Sequence, residues 1–119
     1  MRNMSFMLTT AQVRDGTKTV TRRLGWEFLK PGDLVRACVK CMGLRRGEHI
    51  ERIRTIRILR VSKQWLNSIT REDVQREGFP DWTPEQFVNM FCEHNHCALE
   101  TMVNRIEFEY VDGFKQEAQ

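Results

Sequence analysis

The clearest rhythm of apolar and polar positions lies near the end of the chain. Ile106, Phe108 and Tyr110 alternate with Arg105, Glu107 and Glu109. This is the period-two signature of a strand with one buried face, and it predicts a strand over residues 101–111. Residues 50–63 also read as a strand, yet neither face is cleanly apolar. Ile53, Thr55, Arg57, Leu59 and Val61 share one side, and Arg52, Arg54, Ile56, Ile58 and Arg60 the other. A β-bulge or a face turned toward a cleft would produce this mixture, and both readings stay open. Residues 4–8 predict a short opening strand. Residues 34–41 predict another, launched by the Pro31-Gly32-Asp33 turn and joined to its successor by a hairpin connection between Gly43 and Gly47.

Three short helices complete the pattern. Thr9 and Gln12 have the spacing of a capping box, and Gly16 is placed to end that helix after barely two turns. Thr70 caps a second helix that Gly78 and Pro80 stop. Thr83-Pro84 opens a third, with Gln86 closing its capping box and Phe87, Met90 and Phe91 forming a core-facing stripe. The order of strand, helix, three or more strands, two helices and strand predicts an α+β fold: a small open β-barrel with short helices flanking one opening.

At 119 residues the chain fits one domain, which we place at residues 1–112, with a polar tail over residues 113–119 expected to fray. No apolar run approaches the roughly 18 residues of a membrane span, and residues 1–10 lack the form of a signal peptide. The expectation is a cytoplasmic protein with no membrane contact and no obligate protein partner. The net charge of +3 is mild, but 14 arginines stand against 5 lysines. Arginine's planar fork suits phosphates and base edges, which leans toward nucleotides or nucleic acid; a compositional habit of the genome would give the same bias.

The segment from Gly16 to Arg23 carries the candidate chemistry, with the form G-x-K-x-x-T-x-R. Glycine lets the chain leave the helix with positive φ. Beyond it, an extended segment puts Lys18 with Val20 and Arg22 on one face, and Thr17, Thr19, Thr21 and Arg23 on the other. Lys18 and Thr21 therefore meet only if the segment bends. Burial there would lower the proton affinity of Lys18, as a lysine base requires. A solvated edge strand has the same pattern.

This segment resembles the signature of the ASCH family, a branch of the PUA-like superfamily, with Thr21 in the slot that often holds glutamate. The turn Leu29-Lys-Pro-Gly-Asp33, the hairpin at Cys41-Met-Gly-Leu44 and the segment Ile69-Thr-Arg-Glu-Asp73 resemble phage and bacterial members. So do Glu77-Gly-Phe-Pro80, the helix of residues 83–91 and the closing strand. The resemblance implies a PUA-like open barrel over residues 4–111. Threonine in that slot is similar to the branch that hydrolyses N(4)-acetylcytidine, and it implies Lys18, Thr21 and Glu77 as catalytic residues. Lys18 and Thr21 correspond through the motif, Glu77 by position alone. The implied chemistry is acyl transfer: Lys18 as base, the Thr21 hydroxyl as nucleophile, Glu77 orienting the lysine or passing the proton to the leaving amine. A backbone N–H after Gly16, or Arg23, would hold the oxyanion.

The preferred expectation is thus an amide hydrolase for an acylated cytidine-type nucleoside. The alternative is an RNA-binding module, with nuclease activity known for some family members. Arg22, Arg23, Trp26, Arg52, Arg54 and Arg57 are the candidates for binding substrate or nucleic acid, Trp26 by stacking on a base or else by packing in the core. A lysine buried against Thr21 would favour hydrolysis, and one exposed among arginines would favour binding. Trp65 and Trp82 are expected to cover core. No cofactor is expected. Cys38, Cys41, Cys92 and Cys97 are the residues a zinc ion would use. However, Cys38 and Cys41 fall on one predicted strand, facing opposite sides, and the expectation is no metal.

Overall fold

The computed structural model describes residues 1–111; the expected frayed tail lies outside them. Five strands form one sheet: β1 (Arg2–Ser5), β2 (Val20–Arg23), β3 (Leu34–Cys38), β4 (Arg52–Trp65) and β5 (Met102–Tyr110). Their spatial order is β1-β3-β4-β5-β2, with β1 parallel to β3 and the other pairs antiparallel. The sheet curls into an open half-barrel. Three short helices, α1 (Thr10–Arg14), α2 (Arg71–Arg76) and α3 (Pro84–Asn95), flank it as predicted. Among the described residues, no helix is long and apolar enough to cross a membrane.

The mixed faces of β4 go with two skips in its pairing: Ile53 is passed over in the ladder with β3, and Leu59 in the ladder with β5. The ladder with β5 pairs Ile58 with Phe108 and then Arg60 with Glu107, so the register slips at Leu59. Before the slip, Ile56 and Ile58 point into the core; after it, Val61 packs against that core, while Arg60, Ser62 and Gln64 line an outer groove. One extra residue exchanges the faces of the strand. The inner face meets Met4, Phe6, Val13, Val35, Ile106 and Phe108 in one core cluster. A second cluster, with Leu66, Val74, Phe87, Phe91 and Val103, seats α2 and α3 on the far end of β5.

Local signals at the helix ends hold in two cases and fail in one. Thr70 accepts from the Asp73 amide, and Thr83 with Gln86 makes both bonds of its capping box. Thr9 makes no cap. It ends a 3₁₀ turn (Met7–Thr9) that cuts the opening strand short, and it is itself buried. Gln12 instead donates across 66 residues to the Gly78 carbonyl at 3.0 Å: a tertiary contact takes the side chain that a local cap would use. Two further expectations are corrected. Strand β3 ends at Cys38, where a register shift after Ala37 breaks the ladder, so Cys41 lies in the following loop and not on the strand. Trp65, expected in the core, is 53% exposed.

Candidate functional site

Two glycines deliver the key residues. Gly16, at φ 83°, ends α1 as predicted and releases the chain toward β2. There the Lys18 amide bonds the Gln12 carbonyl, Thr19 bonds both Arg76 and Phe108, and Tyr110 donates to the Lys18 carbonyl at 2.5 Å. The ladder with β5 begins only at Val20, three residues after Thr17, where the β-branched run Thr17–Thr21 starts. This bonded approach turns the Lys18 side chain inward. At the other side Glu77 caps the C-terminus of α2, and Gly78, at φ 106°, turns the chain away at once. A Cβ on Gly78 would lie 2.9 Å from Gln12 Cγ, so only glycine lets this end of α2 sit against α1.

Lys18 and Glu77 meet across 59 residues. Lys18 Nζ donates to Glu77 Oε1 at 2.8 Å and to the Glu77 carbonyl at 2.7 Å, with both residues almost wholly buried. Desolvation lowers the Lys18 pKa below its ordinary value. Glu77 works against that shift, and Arg23 and Arg22 work with it. The other oxygen, Glu77 Oε2, accepts from Arg22 Nη1 at 3.2 Å. Thr21, also buried, accepts at Oγ1 from Arg23 Nε at 3.1 Å. Arg23 in turn donates to the Ser5 carbonyl at 2.6 Å and lies over the Phe6 ring. Burial draws its guanidinium down to about 10, so it remains charged at neutral pH.

Lys18, Thr21, Arg22, Arg23 and Glu77 all border one cleft of about 260 Å³. That volume is close to the lower limit, about 300 Å³, of ordinary small-molecule pockets. Its lining mixes these polar groups with apolar ones: Phe6, Met7 and Leu8 around the 3₁₀ turn, Trp26, and Phe79, Met90 and Phe91. His94 and Asn95 complete the α3 wall. The stripe of Phe87, Met90 and Phe91 continues at the same helical spacing to His94 and Asn95, so one face of α3 both seals the core and lines the cleft. The spacing that carries this continuation is present in the sequence.

The structure brings Lys18, Thr21, Arg22, Arg23, Trp26 and Glu77 to one cleft, and it places Arg52, Arg54 and Arg57 outside its lining. Arg22, expected to bind substrate or nucleic acid, has its side chain 1% exposed and engaged by Glu77 and by Asp73 at 2.6 Å. Arg54 is buried, donating to the Arg14 carbonyl and stacked on Tyr110. Arg57 is paired with Glu109 at 2.8 Å. Arg52 is exposed on β4. The amides after Gly16 are not available for an oxyanion, because those of Thr17, Lys18 and Thr19 bond Asp15, Gln12 and Arg76. Lys18 is buried, but its bonds go to Glu77 and not to Thr21, and two arginines stand nearby. Both expected hallmarks are therefore met in part.

Beside this cleft lies a charged cluster that sequence reading missed. Arg22 and Arg105 are direct partners across the β2–β5 ladder. Asp73 bridges them, accepting from Arg22 Nη2 at 2.6 Å and from Arg105 at 2.6 and 3.0 Å. Burial opposes the charge on Asp73, but the bonds from Arg105 and Arg22 prevail and hold its carboxyl at about 2. The lone signal for Asp73 was its place in the first turn of α2, where it reads as an ordinary helix-start residue.

The thiols form two separate pairs. Burial, then the neighbouring Cys41, pushes the Cys38 thiol up; burial, then Cys97, does the same for Cys92. Among the described residues, no three cysteine, histidine, aspartate or glutamate side chains gather into a metal-binding group.

No protein-family model and no curated protein matches this chain. Solved structures do. The chain is similar to an ASCH domain from Lactobacillus crispatus JV V101, with a TM-score of 0.66 and 17% identity over 92% of this chain and 78% of that one. Protein EF3133 from Enterococcus faecalis V583 superposes with a TM-score of 0.65 and 18% identity, again over 92% and 78%. Hypothetical protein PH0355 follows at 0.61 and 15%, over 92% of this chain and 96% of the other.

Proposed function

We infer that this chain, which has the PUA-like fold of the ASCH domain, is an amide hydrolase for a small acylated nucleoside of the cytidine type. The observation that carries the reading is Lys18: a buried amine with lowered proton affinity, held by Glu77 in the cleft that Thr21 and Arg23 also line. A lysine that only bridged phosphates would gain nothing from burial, whereas a lysine base depends on it.

In this reading neutral Lys18 receives the proton of the Thr21 hydroxyl while Thr21 Oγ1 bonds the amide carbonyl carbon. Lys18 Nζ and Thr21 Oγ1 are not hydrogen-bonded to each other, so the proton travels through a bridging water or the substrate. Arg23 Nε, which already donates to Thr21 Oγ1, favours the developing negative charge. The carbon–nitrogen bond then breaks, the amine leaves with the proton from Lys18, and water cleaves the threonine ester to the free acid. Trp26, with its backbone at φ 66°, borders the cleft and offers a ring for a planar base. The cleft volume suits a single nucleoside better than a polymer.

The test is incubation of purified protein with N(4)-acetylcytidine, following release of cytidine. Hydrolysis is expected in the wild type and lost in Thr21→Ala and Lys18→Arg; the latter keeps the charge but provides no base near neutral pH. An inactive wild type, or an active Lys18→Arg, would refute the reading.

A further inference from the structure

Glu77 is a single carboxylate serving two cations. Its Oε1 goes to Lys18 at 2.8 Å and its Oε2 to Arg22 at 3.2 Å, all three side chains being at most 3% exposed. Arg22 is itself divided. Its Nη2 reaches Asp73 at 2.6 Å and Gln64 at 3.2 Å, while its Nε, also buried, finds no partner among the described residues. Asp73 is held in turn by Arg105, and Arg105 by Glu107 at 3.3 Å. A chain of hydrogen-bonded charges thus runs from the floor of the cleft to the groove on the other side of the β2–β5 ladder, which Arg60, Gln64, Arg105 and Glu107 line.

We propose that Arg22, anchored by Asp73, is a positioning residue: it divides the Glu77 carboxylate so that Lys18 receives one oxygen and not the full charge. This rests on the hydrolase reading for its catalytic meaning, but the effect of Arg22 on the Lys18 proton does not. The groups that face Lys18 are Glu77 from the end of α2, and Arg22 and Arg23 from β2, where Cys41 bears on Arg23. His94 of α3 lines the same cleft, and the 3₁₀ turn contributes only Met7, Leu8 and Thr9. Among these Glu77 alone favours the protonated lysine. Whatever holds Glu77 away, or offsets its charge, therefore loosens the proton. Arg22 does the second, through Glu77 Oε2, and Asp73 governs how much positive charge Arg22 retains toward Glu77.

Two substitutions should act in opposite directions, which a purely structural role would not produce. Arg22→Met leaves the Glu77 charge to Lys18 alone, so Lys18 should hold its proton more tightly. The rise of kcat/KM with pH should then move to higher pH by about one unit, the usual effect of one close charge, with activity recovering at alkaline pH. Arg22→Lys restores a cation and should return much of the shift. Asp73→Asn keeps the shape but removes the charge that neutralises Arg22, so the rise should move to lower pH. Titration of the Lys18 side chain by isotope-edited NMR gives the same comparison without turnover. If the wild type hydrolyses no acylated cytidine, the hydrolase reading fails, while opposite NMR shifts in Arg22→Met and Asp73→Asn still support the positioning role. Shifts in the same direction, or a uniform loss of rate at every pH with the Lys18 titration unchanged, would overturn it.

Discussion

Arg22 and Arg105 face each other directly across the β2–β5 ladder, and the Asp73 carboxylate is bonded to both. Like charges opposite one another destabilise a sheet; here the last residue of the first turn of α2 reaches over and reconciles them. The same contact pins α2, and with it Glu77, against the sheet.

Asp73 should therefore be a stability residue. Replacing it with alanine leaves two buried guanidiniums facing each other, a change expected to cost about 3–5 kcal/mol. Urea denaturation at neutral pH measures this, and a cost below about 1 kcal/mol would mean that water readily replaces the carboxylate.

The same residue sets an acid limit. Its carboxyl sits at about 2 in the folded chain, against roughly 3.9 when unfolded. Depression favours the folded state above the unfolded value, so the contribution is complete above about pH 4 and disappears as pH falls toward about 2. Stability measured across this window should drop in the wild type and change less in Asp73→Asn.

Gly78→Ala should destabilise through two separate effects. The residue sits at φ 106°, and a Cβ would approach Gln12 Cγ to 2.9 Å and Gln12 Cβ to 3.0 Å. Backbone strain of this kind costs about 1–3 kcal/mol. Gly32→Ala, at φ 95° with no atom within 4 Å of the added carbon, carries the strain alone. The difference between their melting temperatures isolates the clash with α1, and equal losses would show that α1 gives way freely.

Hydrolysis of acetylcytidine should increase with pH, with its midpoint below the ordinary lysine value of 10.5, because burial favours neutral Lys18 and the neutral form is the base. A rate that declines as pH rises through this range would assign the proton transfer to a different group.

Trp26→Ala should raise KM about tenfold or more, since stacking of one base on an aromatic ring contributes about 1–3 kcal/mol, while Trp26→Phe should retain much of the affinity. An unchanged KM in the alanine variant would confine Trp26 to packing against the core and Phe28.

Features that depend on near neighbours were legible in the residues alone. The alternation of Ile106, Phe108 and Tyr110 specifies β5, Thr83 with Gln86 starts α3, and the glycine at position 16 ends α1 and releases the motif strand. Even the irregular β4 pattern was informative, since pairing skips at Ile53 and at Leu59 underlie it. Tertiary structure alone decided the site's electrostatics. Lys18 meets Glu77 across 59 residues, and Arg22 meets Asp73 across 51. No helical or strand periodicity spans such separations; they follow from the register of β2 on β5 and from how α2 lands on the sheet. For the same reason Arg22 and Arg54, exposed cations in any local reading, are interior ones. A side chain's charge is written in the sequence, but its burial depends on which distant residue comes to meet it.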